Sequence, residues 1–110
     1  MKPAVLLVLA AACSGDPTGG SVDGATVFQA MCVSCHGPTG KPPDAMVARL
    51  GVRDLTDPKV RPTLTAAHVE DQVRTGSKNK LMPSFAGAMT DEQIKAVAAH
   101  VSSPKFVAAP

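Results

Sequence analysis

Cys32-Val33-Ser34-Cys35-His36 gathers the most reactive side chains of the chain into five residues. Two thiols three residues apart, followed at once by an imidazole, form the C-x-x-C-H pattern of covalent c-type haem attachment. Two sulfurs that add across the two vinyl groups of one porphyrin must stand about one helical turn apart. An imidazole directly after the second sulfur then lies under the iron and can bind it through a ring nitrogen. C-x-x-C also fits a dithiol redox pair or half of a zinc site. Zinc needs a second ligand pair, and the only other cysteine is Cys13. A thioredoxin-like pair needs a βαβ setting, and no such pattern surrounds this one.

Leu81-Met82-Pro83-Ser84-Phe85 is the second stretch able to do chemistry. Low-spin electron-carrier haems commonly place a thioether sulfur across from the histidine, which raises the reduction potential. A proline after Met82 restrains that residue to an extended backbone and so limits how its sulfur can be aimed. Met82 is therefore the expected second iron ligand, with Phe85 packing against the porphyrin. The bland alternative is a methionine that fills a gap in the core. Met46 and Met89 are rivals without so constrained a loop. His68 is read as a surface histidine and His100 as a residue beside a buried stripe; neither is expected to bind iron.

The elements that must hold these groups are helices. Asp23 or Ser21 can cap a first helix whose Val27, Phe28, Met31 and Cys32 share a face that runs into the cysteine pair. Gly37 to Pro43 reads as a loop, and one of its carbonyls is expected to accept the second ring proton of His36. Asp44 can cap a short helix over 45–50, stopped by Gly51, with Met46, Val47 and Leu50 on its apolar side. Thr65 caps a helix over 66–75 ending at Gly76, with Ala66, Val69 and Val73 on the buried stripe. Thr90-Asp91-Glu92-Gln93 is a capping box. Ile94, Val97, Ala98 and Val101 then follow the spacing of one buried helical face, which Pro104 ends. Phe106 and the Ala/Pro tail are left open between docked and loose.

Composition bounds the rest. The chain has 110 residues and only three aromatic side chains, Phe28, Phe85 and Phe106. So small a chain with so little bulk has difficulty filling a core alone. A buried porphyrin would supply the missing apolar volume. The formal charge of +2 comes without a basic run or interleaved aromatics, which argues against a nucleic-acid partner.

Residues 1–12 read as a secretory signal, because the apolar run is too short to span a bilayer. Ala10-Ala11-Ala12-Cys13 resembles a bacterial lipobox, which would make Cys13 a lipidated first residue and a membrane tether. Cleavage near Ala12 without lipid is the alternative. Residues 13–21 read as a flexible linker and 22–110 as the folded domain.

Taken together, these features resemble the class I monohaem cytochrome c family over roughly Asp23 to Ser103. The resemblance rests on a helix leading into CVSCHG, short helices and loops in the middle, LMPSF, and a capped terminal helix. It implies an all-α cytochrome c fold of about four to five short helices, with the first and last crossing. It implies one covalently bound haem c per chain: Cys32 and Cys35 as thioether positions, His36 as proximal and Met82 as distal ligand. That family often carries an aromatic where His100 stands, so the packing of the terminal helices is left open. The expected role is electron transfer rather than catalysis, with a redox partner such as an oxidoreductase or another cytochrome. The expected location is the periplasm, on a lipid tether. Arg53, Lys78 and Lys80 are candidates for steering the partner. A peroxidase-like haem enzyme with an open distal site is the rival reading.

Overall fold

The computed structural model describes residues 16–107, so the signal reading of residues 1–12 and the lipidation reading of Cys13 lie outside the described residues. Among these residues there are five α-helices, two single 3₁₀ turns and no strand, as the all-α expectation requires. Helix α1 spans Gly24–Met31, and the Asp23 carboxylate caps it by accepting from the Thr26 amide at 3.1 Å. Cys32 closes α1 and opens the short α2, Val33–His36. Helix α3 spans Asp44–Leu50 and starts after Pro43 without a side-chain cap, so Asp44 lies in its first turn rather than at its cap. A carboxylate there still faces the positive end of the helix dipole. Helix α4 spans Ala66–Thr75 and is capped by Thr65, whose hydroxyl accepts from the His68 amide at 3.1 Å. Helix α5 spans Asp91–Ser102 and opens with both halves of the capping box between Thr90 and Gln93.

Helix α5 packs on both α1 and α4. Val27, Phe28, Ile94 and Val97 are less than 2% exposed and form the centre of this contact. Gly24 sets how close α1 comes to α5. A Cβ at that position would run into the Ala96 carbonyl and the Cβ of His100. The expected stripe of α4 is narrower than its periodicity suggests: Val69 and Val73 are buried, whereas Ala66 is exposed. Val47 of α3 also faces outward. Ala66 sits at the start of its helix, where none of the other described elements covers it.

The tail docks beside His100, the position at which the resemblance leads one to expect an aromatic. His100 lies 5.8 Å from the Phe28 ring centroid, and Phe106 meets both rings edge-on at 5.2 Å. Such edge-to-face pairs set positive ring edges against negative faces. Phe106 is itself held down by Arg61, whose guanidinium lies 5.4 Å from the ring centroid. The same guanidinium donates to the carbonyls of Leu55 at 3.3 Å, Val101 at 2.7 Å and Ser103 at 3.0 Å. Two of these carbonyls lie at the C-terminal end of α5, where orphan acceptors need donors and a cation suits the dipole.

Within the stretch read as a linker, residues 16–21 are hydrogen-bonded to each other and to α5. The Asp16 carboxylate accepts from the Thr18 amide at 2.9 Å and the Gly20 amide at 3.0 Å. Gln93 Nε2 donates to Thr18 Oγ1 and to the Ser21 carbonyl, both at 2.9 Å, while its Oε1 accepts from the Thr90 amide at 3.0 Å. Thr18 and Gln93 are both buried. Replacing Gln93 with alanine strands buried polar groups on two segments at once. The expected cost is about 2 kcal/mol, read as a lower denaturation midpoint at unchanged slope. An effect below about 0.5 kcal/mol would mean that the 16–21 segment is not held in solution.

Candidate functional site: an apolar cleft with two thiols, an imidazole and a thioether

One cleft of about 340 Å³ opens between α1, α2, α4 and the 76–85 segment. Phe28, Val97 and Val101 form part of its lining from the core, and Val69 and Val73 of α4 add β-branched surface. Cys32, Cys35 and His36 line it from the α1–α2 junction. Met82 lines the same cleft from a loop, with Leu81, Pro83 and Phe85 beside it. The four site residues expected from sequence therefore face one cavity. Met89 is buried in the core and Met46 is half-buried, and neither borders the cleft.

The local backbone explains how the first three are presented. Cys32 is the hinge: its carbonyl accepts from the amides of Cys35 at 3.3 Å and His36 at 2.9 Å, closing one turn. Val33 and Ser34 are carried on that turn, which brings both sulfurs to the cleft. Gly37 then ends the turn at φ +79°, and a Cβ there would strike the Lys41 carbonyl. Only glycine allows the chain to reverse this tightly after His36.

His36 Nδ1 lies 3.2 Å from the carbonyl of Arg53. A carbonyl can only accept, so Nδ1 carries the proton and Nε2 presents a lone pair. This partner corrects the sequence expectation, which placed it between Gly37 and Pro43. That loop turns back on itself, and the segment after α3 supplies the acceptor instead. Burial pushes the His36 pKa down, opposed by the Arg53 bond. Burial thereby favours the neutral form of the ring, the form that binds metal. Burial, with the neighbouring Cys35 second, pushes the Cys32 thiol up to about 11. In the unloaded chain that sulfur stays a protonated thiol at neutral pH.

Met82 is carried on a loop that is fastened to α4. Phe85 N donates to the Val73 carbonyl at 2.9 Å, and Ser84 Oγ donates to the Arg74 carbonyl at 2.5 Å. Gly76, at φ +75°, lets residues 82–84 lie directly against the helix end; a Cβ would sit 2.7 Å from the Met82 carbonyl oxygen. His68, expected on the surface, is exposed but also reaches the rim of the cleft, as do Arg53, Gln72, Ser77 and Asn79. From the sequence alone Ser77 and Asn79 read only as polar residues. A serine two residues before an asparagine, next to a helix-ending glycine, is a turn signal that marks such a loop.

Among the described residues, no three His, Cys, Asp or Glu side chains come together as a metal-binding group. The donor set of the cleft is instead two thiols, one neutral imidazole and one thioether, set in apolar walls. That set fits a porphyrin held through two sulfurs, with a nitrogen and a sulfur for its iron, better than it fits a bare ion.

Comparison with known proteins agrees. Residues 22–101 match the family described as cytochrome C oxidase, cbb3-type, subunit III. The solved structure of the KustC0563 c-type cytochrome superposes with a TM-score of 0.64 at 28% identity, covering 73% of this chain and 94% of that one. A point mutant of the same cytochrome superposes equally, with a TM-score of 0.64 at 28% identity over 74% and 96%. No curated protein matches the sequence. With the family match spanning most of the chain and the attachment motif facing an apolar cleft, the chain belongs to the cbb3-type cytochrome c oxidase subunit III family and is a small class I monohaem cytochrome c that carries covalently bound haem c.

Proposed function

We propose that this domain carries single electrons on its one haem, with His36 and Met82 as the two axial ligands. It acts as a free carrier or as an electron-transfer subunit. The observation that carries this reading is that one apolar cleft is lined by both thiols, His36 and Met82. The haem iron supplies the ferrous/ferric couple. Cys32 and Cys35 hold the porphyrin by thioether bonds. His36 offers Nε2 while the Arg53 carbonyl keeps the proton on Nδ1. Val69, Val73, Phe28 and Phe85 exclude water, which favours the form of lower net charge. Met82 offers a soft sulfur that raises the potential.

Two side-chain ligands leave no position for a substrate, which is why we read a carrier rather than an enzyme. A partner redox protein approaches the open side of the cleft. Arg53 stands at its rim, and exposed Lys78 and Lys80 lie in the adjoining loop, so an acidic partner surface is favoured. The amino-terminal segment adds export to the periplasm and a lipid tether at Cys13.

Met82→Ala tests the ligand set. The ferric wild-type protein is expected to show the far-red iron–methionine charge-transfer band, and the variant is expected to lose it entirely. The variant is also expected to have a lower potential and to bind added imidazole without displacing a protein ligand. A wild-type protein with high-spin ferric iron and no such band would instead favour an open-site, peroxidase-like enzyme.

A further inference from the structure

The loop that carries Met82 is closed by a clasp of side-chain and backbone hydrogen bonds centred on Ser77. Ser77 N donates to the Met82 carbonyl at 2.9 Å, and Met82 N donates back to Ser77 Oγ at 3.0 Å. The two residues thus bind each other in both directions across the neck of the loop. Ser77 Oγ in turn donates to Asn79 Oδ1 at 2.6 Å, and the same oxygen accepts from the Leu81 amide at 3.0 Å. A hydroxyl has one proton to give and lone pairs to receive, so it can accept from Met82 and donate to Asn79 together. Inside the neck, Lys80 N donates to the Ser77 carbonyl at 3.0 Å. Lys80 is held at φ +62°, the only non-glycine residue in the left-handed region among those described. A bulky side chain held in that region persists only where surrounding contacts over-determine it.

From this geometry we infer that Ser77 and Asn79 are positioning residues for Met82: they keep the loop shut so that its sulfur stays at the iron and added ligands are kept out. The inference rests on the His36/Met82 reading above. Its physical content is a population. An external ligand can bind only to the fraction of molecules in which Met82 has left, so its apparent affinity is its intrinsic affinity scaled by that fraction. Neither Ser77 nor Asn79 has to touch the porphyrin for this to hold. Nothing else ties the Met82 amide: its only hydrogen bond among the described residues is the one to Ser77 Oγ. Beyond the neck, Ser84 and Phe85 anchor the chain to α4, so loss of the clasp frees the loop without freeing the domain.

The test is imidazole titration of the ferric haem-loaded protein, with the iron–methionine band as readout. Ser77→Ala removes the acceptor of the Met82 amide and the donor to Asn79. Two hydrogen bonds of ordinary net strength correspond to a rise in open fraction of about tenfold or more, and imidazole should bind tighter by the same factor. Ser77→Thr keeps the hydroxyl and should stay within about twofold of wild type. Asn79→Asp keeps the accepting oxygen and should also stay close, whereas Asn79→Ala should move in the direction of Ser77→Ala; this second pair decides the matter should Ser77→Ala not fold. Gln93→Ala lowers global stability far from the loop and should leave imidazole affinity unchanged. The proposal is overturned by unchanged affinity in both alanine loop variants, or by an equal rise in Gln93→Ala, which would reduce the effect to general loosening. A missing iron–methionine band in the wild-type protein would sink the ligand assignment itself, whereas a wild-type band with unchanged imidazole affinity in Ser77→Ala and Asn79→Ala sinks only the clasp.

Discussion

Phe28→Ala is expected to lower the unfolding free energy of the haem-loaded protein by about 3–5 kcal/mol. Phe28 is 1% exposed and joins three parts of the molecule. It belongs to α1, borders the cleft, and meets both His100 of α5 and Phe106 of the tail. Truncation removes the transfer energy of a ring and also leaves a void that α1 and α5 cannot close. Gly24 already holds the two helices in contact with the Ala96 carbonyl, so no further approach is available. Phe28→Leu retains most of the volume and should cost about half as much or less. Denaturant unfolding followed by haem absorbance and by far-ultraviolet circular dichroism measures both. A cost below about 1 kcal/mol for the alanine variant would show that the aromatic group is not the join described. For a domain whose total stability is on the order of 5–15 kcal/mol, the expected loss is a large fraction of what holds it folded.

Arg61→Ala ranks next, at about 3 kcal/mol. Three carbonyls lose a charged donor together, and hydrogen bonds to charged groups are each worth about 1.5–3 kcal/mol. Arg61 is half-buried, so water takes over part of this work, and the sum falls below three full bonds. The Phe106 ring loses its cation as well, a contribution of about 0.5–1 kcal/mol. Arg61→Lys is expected to recover less than half, because a point charge cannot reach Val101 and Ser103 as the guanidinium fork does. For a domain of this length the alanine variant should melt roughly 10–20 °C lower. Amide exchange adds a local reading. The Phe106 amide donates to the Ser103 carbonyl at 3.0 Å, and its protection should fall more than that of Val27. Equal protection in variant and wild type would show that the tail docks without Arg61.

Both predictions concern residues whose importance is hard to see in the chain. Phe28 is legible as a core residue from its helical spacing, but its contact with the tail is not. Arg61 sits in a short polar stretch with nothing to distinguish it from a solvated arginine. Its partners are backbone carbonyls, and one of them lies 42 residues away. Every residue carries a carbonyl, so sequence offers no mark of the one that will be used. The same reasoning covers His36. The need for an acceptor opposite Nδ1 follows from the chemistry of a histidine ligand, but the residue that supplies it does not. It proved to be Arg53, 17 residues on, after α3 has turned the chain back.

The local part of this protein is legible in its residues alone. The Cys32/Cys35/His36 spacing matches one helical turn. The caps at Asp23, Thr65 and Thr90 are bonds to amides three residues on, and each forms as its residues imply. Met82 stands out in the sequence because Pro83 restricts its backbone, again a neighbour effect. Tertiary structure decided what depends on pieces meeting: the approach of α1 to α5 over Gly24, the docking of Phe106, the exposure of Ala66, and the attachment of Thr18 to Gln93 across 75 residues. It also decided that Ser77 and Met82 close a loop. The physical division is one of range. Dihedral preferences and bonds to near neighbours are written in residue types, while contacts between distant segments depend on which surfaces remain to be covered once those local pieces have formed.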